Sequence, residues 1–359
     1  MTTSTDTTPR HTSEAKRIIE NVLRFVLPLG VSAWMLVWLF QRIDFAQMWQ
    51  LITHGVDYWW LVLMMIITAM SHAIRGTRWG IQLAGVGVRP PLMTLWVSIF
   101  GAYSLNLLFS GVGEAWRVVY ISRREHTPLA TVVGTDVGDR LSDAAVIMLL
   151  LVLMLVVARS YVAEFLMRFP LGRDFVGFVS NPWLWITLVA LAAGVWAMLH
   201  FFSGASIVVQ FKKCCTRIWH GFAVLFTMKG KWEYLLLTFG IWTCYFMETY
   251  VSFQSMPATR ALFTPELAYG FLPGLVCFVF CSVSMAIPSN GGLGPWNIAM
   301  VFGLTLFGVN ITDATAFAML MWSAQSLMLI LLGLYSAAYI SITNRRSKSS
   351  ANGGRRSGR

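Results

Sequence analysis

Apolar residues run in long blocks separated by short polar breaks. Blocks at about 23–41, 57–74, 128–158, 182–203, 235–256 and 312–341 are each close to or above the roughly 20 residues a helix needs to cross about 30 Å of hydrocarbon. Two further blocks, about 92–122 and 266–309, are interrupted by glycine. The breaks read Ser110-Gly111-Val112-Gly113 and Pro288-Ser289-Asn290-Gly291-Gly292-Leu293-Gly294-Pro295. No continuous helix survives the second, and the first is the weaker break. The pattern predicts an all-α, polytopic transmembrane helix bundle with six full spans and two glycine-broken helical hairpins.

Composition agrees with the membrane assignment. The chain is 57% hydrophobic and 12% charged, with mean hydropathy +0.64, against roughly 25% charged residues in soluble domains. The first block, Phe25 to Phe40, is followed by Gln41-Arg42-Ile43-Asp44 and not by a small-residue cleavage site, so it reads as a retained span. Basic residues fix the orientation. They gather at Lys16, Arg17 and Arg24, at Arg75, Arg78 and Arg89, at Arg123 and Arg124, across 212–231, and in the tail. If each broken block enters and leaves on one side, all these clusters face the cytoplasm. If each crossed once, the 212–231 cluster would lie outside. The sequence therefore predicts a multi-pass protein of the inner (cytoplasmic) membrane with both termini cytoplasmic. It leaves open whether the hairpins are re-entrant or cross twice.

The expected organisation is an N-terminal tail at 1–20, a membrane domain at 21–343, and a basic tail at 344–359. The domain has candidate halves at 21–160 and 182–343 and an interfacial basic stretch at 204–234. The tail carries six basic residues and no acid. It is expected to be disordered and drawn to anionic headgroups, not to nucleic acid, since no folded reader accompanies it. A faint repeat links the halves. Gly111-Val112-Gly113 resembles Gly292-Leu293-Gly294, each followed by a helix beginning at Thr127 or Thr312 with a polar residue 13 positions on, Arg140 or Gln325. Inverted repeats with broken helices at matching places mark transporters. Glycine is common enough in membrane helices that two similar turns can also arise without a repeat.

The chemistry concentrates in the block that starts near Thr127. Asp136, Asp139, Arg140 and Asp143 sit at i, i+3, i+4 and i+7, on one helical face. Arg140 would lie about 20 Å along that helix. Charge at such depth faces a bundle interior or a watery cavity and often marks a substrate route. The alternative is a self-satisfied network in which the three acids hold Arg140 and pin neighbouring helices. Glu114 and Arg117 follow the first glycine break. They read either as an N-terminal charge with a cytoplasmic arginine, or as part of a phosphate site with exposed backbone N–H groups. Asn106 and Ser110 could bond the freed carbonyls of the break, or a ligand. Arg75, Arg78 and Trp79 end the second block and read as interfacial anchors or headgroup contacts. Glu248 stands alone in the fifth span near its outer end, and His72 reads as an interfacial polar group. Five cysteines without paired C-x-x-C spacing suggest free thiols, with no metal site and no cofactor. No nucleotide-binding or metalloprotease motif is present, so nothing in the sequence supports a soluble enzyme.

At these same residues the chain resembles the flippase-like, or lysylphosphatidylglycerol synthase transmembrane-region, family. Four blocks match in order: Arg75-Gly-Thr-Arg78-Trp79, Asn106 through Gly113-Glu114-Ala-Trp-Arg117, Asp139-Arg140-Leu-Ser-Asp143, and Pro288 through Gly291-Gly292-Leu293-Gly294. Two departures are visible. The proline expected before the first glycine turn is absent at Phe109-Ser110, and Asn297 stands where the late turn is usually followed by glutamate. The resemblance implies lipid translocation and not aminoacyl transfer, since only 18 residues follow Ser341. The resulting expectation is a non-enzymatic transporter of an anionic or polyprenyl-linked lipid. Its substrate site draws on Asn106, Gly111, Gly113, Glu114, Arg117, Asp136, Asp139, Arg140, Asp143, Asn290, Gly291, Gly292, Gly294 and Gln325. The rival is a membrane-embedded enzyme or accessory subunit of a lipid glycosyl-transfer pathway that binds lipid without moving it. Lipid identity, direction, energy source and oligomeric state stay open.

Overall fold

The structure, a computed structural model, describes residues 55–158, 227–264, 269–287 and 289–356 and a few isolated positions, with side chains described as far as Thr343. The expected spans at 23–41 and 182–203, most of 204–234, the N-terminal tail and Pro288 lie outside the described residues. Within them the fold is all-α. In chain order the helices are α1 (Tyr58–Gly85), α2 (Leu92–Leu108), α3 (Val112–Arg124), α4 (Leu129–Val157) and α5 (Lys231–Ser252). A short turn of helix, α6 (Pro257–Arg260), leads to α7 (Leu272–Ser284), α8 (Pro295–Leu306) and α9 (Ile311–Arg356).

Local chemistry sets the boundaries. Asp57 caps α1 by accepting from the Trp59 amide at 3.3 Å, and Pro90-Pro91 separates α1 from α2. Pro128 precedes α4, and Pro273 and Pro295 open α7 and α8, where a missing N–H costs nothing. Both glycine breaks end helices as expected: α2 stops at Leu108, α7 at Ser284, and α3 and α8 start afresh. Two elements differ from expectation. α1 does not stop near residue 74 but runs on through Arg75 and Arg78 to Gly85. α9 runs past the expected end near residue 341 and keeps helical backbone to Arg356.

α1 and α5 form the central antiparallel pair. Thr68 donates to Glu248 at 3.0 Å, Arg78 to Thr238 at 3.3 Å, and Gln82 to Tyr234 at 2.9 Å. Each step along α1 matches an equal step back along α5, so one register holds over three contacts. The Asp57 amide donates to the Ser255 carbonyl at 2.8 Å and closes the other end. α9 starts beside that same end, with Phe317 and Phe253 rings 5.1 Å apart. It then crosses to α2, where Ser336 donates to the Val97 carbonyl at 2.8 Å.

The hairpin α2–α3 leaves from the Gly85 end of α1, and the hairpin α7–α8 leaves from the opposite, Ser255 end. Their tips touch. The Gly291 amide donates to the Asn106 carbonyl at 3.1 Å, and the Ser110 amide donates to Asn290 Oδ1 at 3.3 Å. Trp322 Nε1 on α9 donates to the Gly291 carbonyl at 2.9 Å and holds the second tip. A large apolar core joins α5, α7, α8 and α9, and a smaller one around Trp79, Leu83, Ile99 and Ile121 joins α1 to α2 and α3. α1, α4 and the Ile311–Thr343 part of α9 are each long and apolar enough to cross a membrane. The exposed faces of α4 and α5 carry Leu149, Val156, Leu236 and Phe239, side chains suited to lipid.

Candidate functional site

Arg75 lies ten residues before the end of α1, and Asp139 ten residues after the start of α4. At 1.5 Å per residue both are about 15 Å from the adjoining helix ends, so the two helices bring opposite charges to one depth. Arg75 reaches Asp139 at 3.3 Å and Asp143 at 2.6 Å; Arg78 reaches the same two acids at 2.6 and 2.8 Å. From α3, Arg117 contacts Glu114 at 3.1 Å, Asp139 at 3.8 Å, and Asp136 directly. Arg140 pairs with Glu114. Four guanidinium groups thus meet four carboxylates in one layer, with no formal charge left over.

Aromatic and hydroxyl groups enclose the layer. Arg117 lies over the Trp79 ring at 4.7 Å and Arg78 over Tyr234 at 5.3 Å, geometry in which a ring face stabilises a cation. Arg75 donates to the Tyr245 hydroxyl at 3.3 and 3.2 Å, and Trp79 Nε1 to Thr135 at 3.2 Å. Arg78, Arg117 and Asp139 are wholly buried, whereas the Glu114 and Arg140 side chains are 25% and 41% exposed. The layer therefore has a dry interior and one open rim, at Glu114 and Arg140.

The rim adjoins the glycine tips through Asn106. Its Oδ1 accepts from the Gly113 amide at 2.9 Å, and its Nδ2 donates to Glu114 at 3.2 Å. A Cβ on Gly113 would lie inside the van der Waals envelope of the Ala102 carbonyl, so α2 and α3 approach this closely only because the residue is glycine. Gly111, Gly291, Gly292 and Gly294 have φ of 77°, 58°, 79° and 93°, which is the backbone freedom the two breaks required.

Several placements correct the sequence expectations. Arg75, Arg78 and Trp79 are not interfacial anchors; all three are buried, because acids on α4 supply the arginines' counter-charges inside the bundle. Arg140 is not held by Asp136, Asp139 or Asp143. Arginines of α1 and α3 occupy those acids, and Arg140 turns to Glu114. Gln325 does not join the layer but donates to Glu248 at 3.4 Å. Glu248 and His72 are both buried inside the bundle. Asn297 sits buried at the start of α8, accepting from the Gly294 amide at 3.2 Å and donating to the Ala318 carbonyl at 3.1 Å, which ties α8 to α9. Cys244, Cys277 and Cys281 are free thiols, and no cluster of metal-ligating side chains occurs among the described residues. Tyr234, Thr238, Tyr245 and Glu248 were not read as one group. Their recurrence on a single face of α5 was the available signal.

A helical bundle with long apolar spans, short paired helices and a buried layer of charge defines a multi-pass integral membrane protein. Residues 25–333 match the family model described as the lysylphosphatidylglycerol synthase TM region, and the chain belongs to that family. The match covers every residue of the charge layer and both glycine tips. It associates the protein with membrane lipid metabolism or transport. No curated protein and no solved structure matches the chain.

Proposed function

We propose that this protein is a flippase-like transporter that takes the phosphate of an anionic or polyprenyl-linked lipid at the Glu114–Arg140 rim and passes it between leaflets. The observation that carries this reading is the tip-to-tip meeting of two glycine-broken hairpins, entering from opposite ends, beside a charge layer open at one side. The four hairpin helices have 17, 13, 13 and 12 residues, about 25 Å or less each at 1.5 Å per residue. All are shorter than the roughly 20 residues usual for a span, which supports reading both hairpins as re-entrant. The order helix, hairpin, helix occurs twice, in α1 to α4 and in α5 to α9, with opposite direction. This order supports an inverted repeat of the transporter kind, in which the substrate site lies at the breaks.

At the rim, a lipid phosphate would compete with Glu114 for Arg140. Arg117 Nη1, buried beneath, has no hydrogen-bond partner among the described residues and is a spare donor for a phosphate oxygen. Acyl chains would stay along the apolar face of α4 while the headgroup crosses the tips. In this reading the Gly85 end of α1 and both chain termini face the cytoplasm, the membrane is the inner one, and the chain is no enzyme. The test is reconstitution into vesicles with fluorescent phosphatidylglycerol in one leaflet. Transfer above protein-free vesicles, lost in Arg140→Gln, supports the proposal. Saturable binding without transfer would leave the protein as a lipid-binding subunit.

A further inference from the structure

One buried acid stands outside the charge layer with no cation beside it. Glu248 is 7% exposed. Its Oε2 accepts from Thr68 at 3.0 Å and its Oε1 from Gln325 at 3.4 Å. Among the described residues no arginine, lysine or histidine forms an ion pair with it, whereas buried Asp139 and Asp143 each have two arginines within 3.3 Å. Two neutral donors do not replace the hydration of a carboxylate, and an unpaired buried charge costs several kcal/mol. A side chain in this position is suited to taking up and releasing a proton, not to holding a fixed charge.

A second buried titratable group without a hydrogen-bond partner among the described residues stands one turn along α1. On α1, His72 lies one turn beyond Thr68. It is buried, neither ring nitrogen has a partner among the described residues, and its ring is 4.2 Å from that of Tyr103 on α2. Three residues further, Arg75 donates to the Tyr245 hydroxyl, and Tyr245 precedes Glu248 by one turn of α5. The titratable groups within one helical turn of Glu248 on α5 are Cys244 and Tyr245, and on α1 His72 and then Arg75 follow Thr68, with Tyr103 of α2 against the His72 ring. α7 offers only Cys277 and Cys281, and α9 offers neutral Gln325, with Asp313 three turns earlier. Among the described residues of this stretch Arg75 is the fixed charge, and it belongs to the layer.

We propose that Glu248 is a proton-binding site that couples proton movement to lipid movement, with His72 relaying between it and the Arg75–Asp139–Asp143 cluster. The inference rests on the transport reading above. A proton adds to the carboxylate oxygen and later leaves toward the other face, so only an O–H bond forms and breaks. While Glu248 is neutral, the eight charges of the layer balance among themselves. After release, its negative charge competes with Asp143 for Arg75 and loosens the clamp between α1 and α4.

The test uses the purified protein in vesicles holding fluorescent phosphatidylglycerol and an entrapped pH dye, under inward and outward pH gradients. The wild type should change its transfer rate at least about fivefold with the sign of the gradient, the low end of ordinary coupling between sites, and transfer should move protons. Glu248→Gln should transfer at one rate under both gradients, and Glu248→Asp should regain the difference. Equal wild-type rates under both gradients overturn the proton site and leave transport standing. Wild type that moves no lipid under any gradient overturns both. Full gradient response in Glu248→Gln overturns the assignment to Glu248. The first two outcomes need only the wild type, so a misfolded variant does not shelter the proposal.

Discussion

Arg78 and Arg140 carry the same side chain into one charge layer but meet different carboxylates, Asp139 and Asp143 for the first and Glu114 for the second, and their positions demand different behaviour. Arg78 is fully buried and neutralises both Asp139 and Asp143. Arg78→Met strands carboxylate charge in the dry interior, and breaking a buried pair from one side costs about 3–5 kcal/mol. We expect little folded protein, or a sharply lowered Tm in detergent; an unchanged Tm would show that the layer does not hold the bundle together. Arg140 sits at the rim, its side chain 41% exposed and paired to one acid. A half-buried pair at the rim contributes less than the pairs of the dry interior, so Arg140→Gln should lower Tm far less than Arg78→Met while binding phosphatidylglycerol at least about tenfold more weakly, the order of one lost charge-assisted hydrogen bond. Equal affinity in wild type and Arg140→Gln, measured by fluorescent-lipid titration, would move the headgroup site elsewhere. The acids of this layer were legible in the sequence, since Asp136, Asp139 and Asp143 share a face whatever the partner. The arginines of α1 were not, because a basic pair followed by tryptophan reads as an interfacial anchor until the helix that neutralises it is known. Pairing across 64 residues of chain separation, as between Arg75 and Asp139, leaves no local trace.

The hairpins show what was legible at the scale of elements. Clustered glycine and proline break a helix by removing hydrogen bonds and adding conformational freedom, a local effect, so both turns stood out in the sequence. That the tips touch depends on which ends of α1 the hairpins leave, and this is tertiary. Gly113 tests the contact within the first hairpin. Its hydrogen atom faces the Ala102 carbonyl, and a methyl group there must push α2 from α3 and break the Asn106 cap of the Gly113 amide. Gly240 on α5 has nothing within 4 Å of an added Cβ, and alanine there improves helix propensity by up to about 1 kcal/mol. Gly113→Ala should lose about 1–3 kcal/mol through overpacking and most lipid transfer, and Gly240→Ala should lose neither. Matching transfer rates in the two variants would remove the first tip from the mechanism. Gly291→Ala probes the second tip, where φ is 58° and the added Cβ meets Leu107 at 2.5 Å. It should impair transfer and also lower Tm, because a left-handed alanine is strained by about 1–2 kcal/mol even where the flexible end of Leu107 can give way.

At the scale of the whole molecule, the order of apolar blocks and the asymmetry of basic residues predicted an arrangement whose described part is now visible: α1 and α5 antiparallel, one hairpin at each end, α9 returning across the bundle. These relations fix which residues share an end without saying which end is cytoplasmic. Arg89, exposed in the link from α1 to α2, and Phe271, exposed just before α7, lie at opposite ends. The basic-residue rule assigns the Arg89 end to the cytoplasm, since Arg89, Arg123 and Arg124 gather there, while the link before α7 has Arg260 paired to Asp57. In a chain lacking Cys214 and Cys215, an impermeant thiol reagent applied to intact cells should label Phe271→Cys and leave Arg89→Cys untouched until the membrane is opened. Labelling of Arg89→Cys from outside would invert the molecule. Labelling of both from outside would mean that α1, the helix carrying two of the layer's four arginines, does not cross the membrane at all. The charge layer would then have no hydrocarbon to be shielded from, and its four balanced pairs would need another explanation.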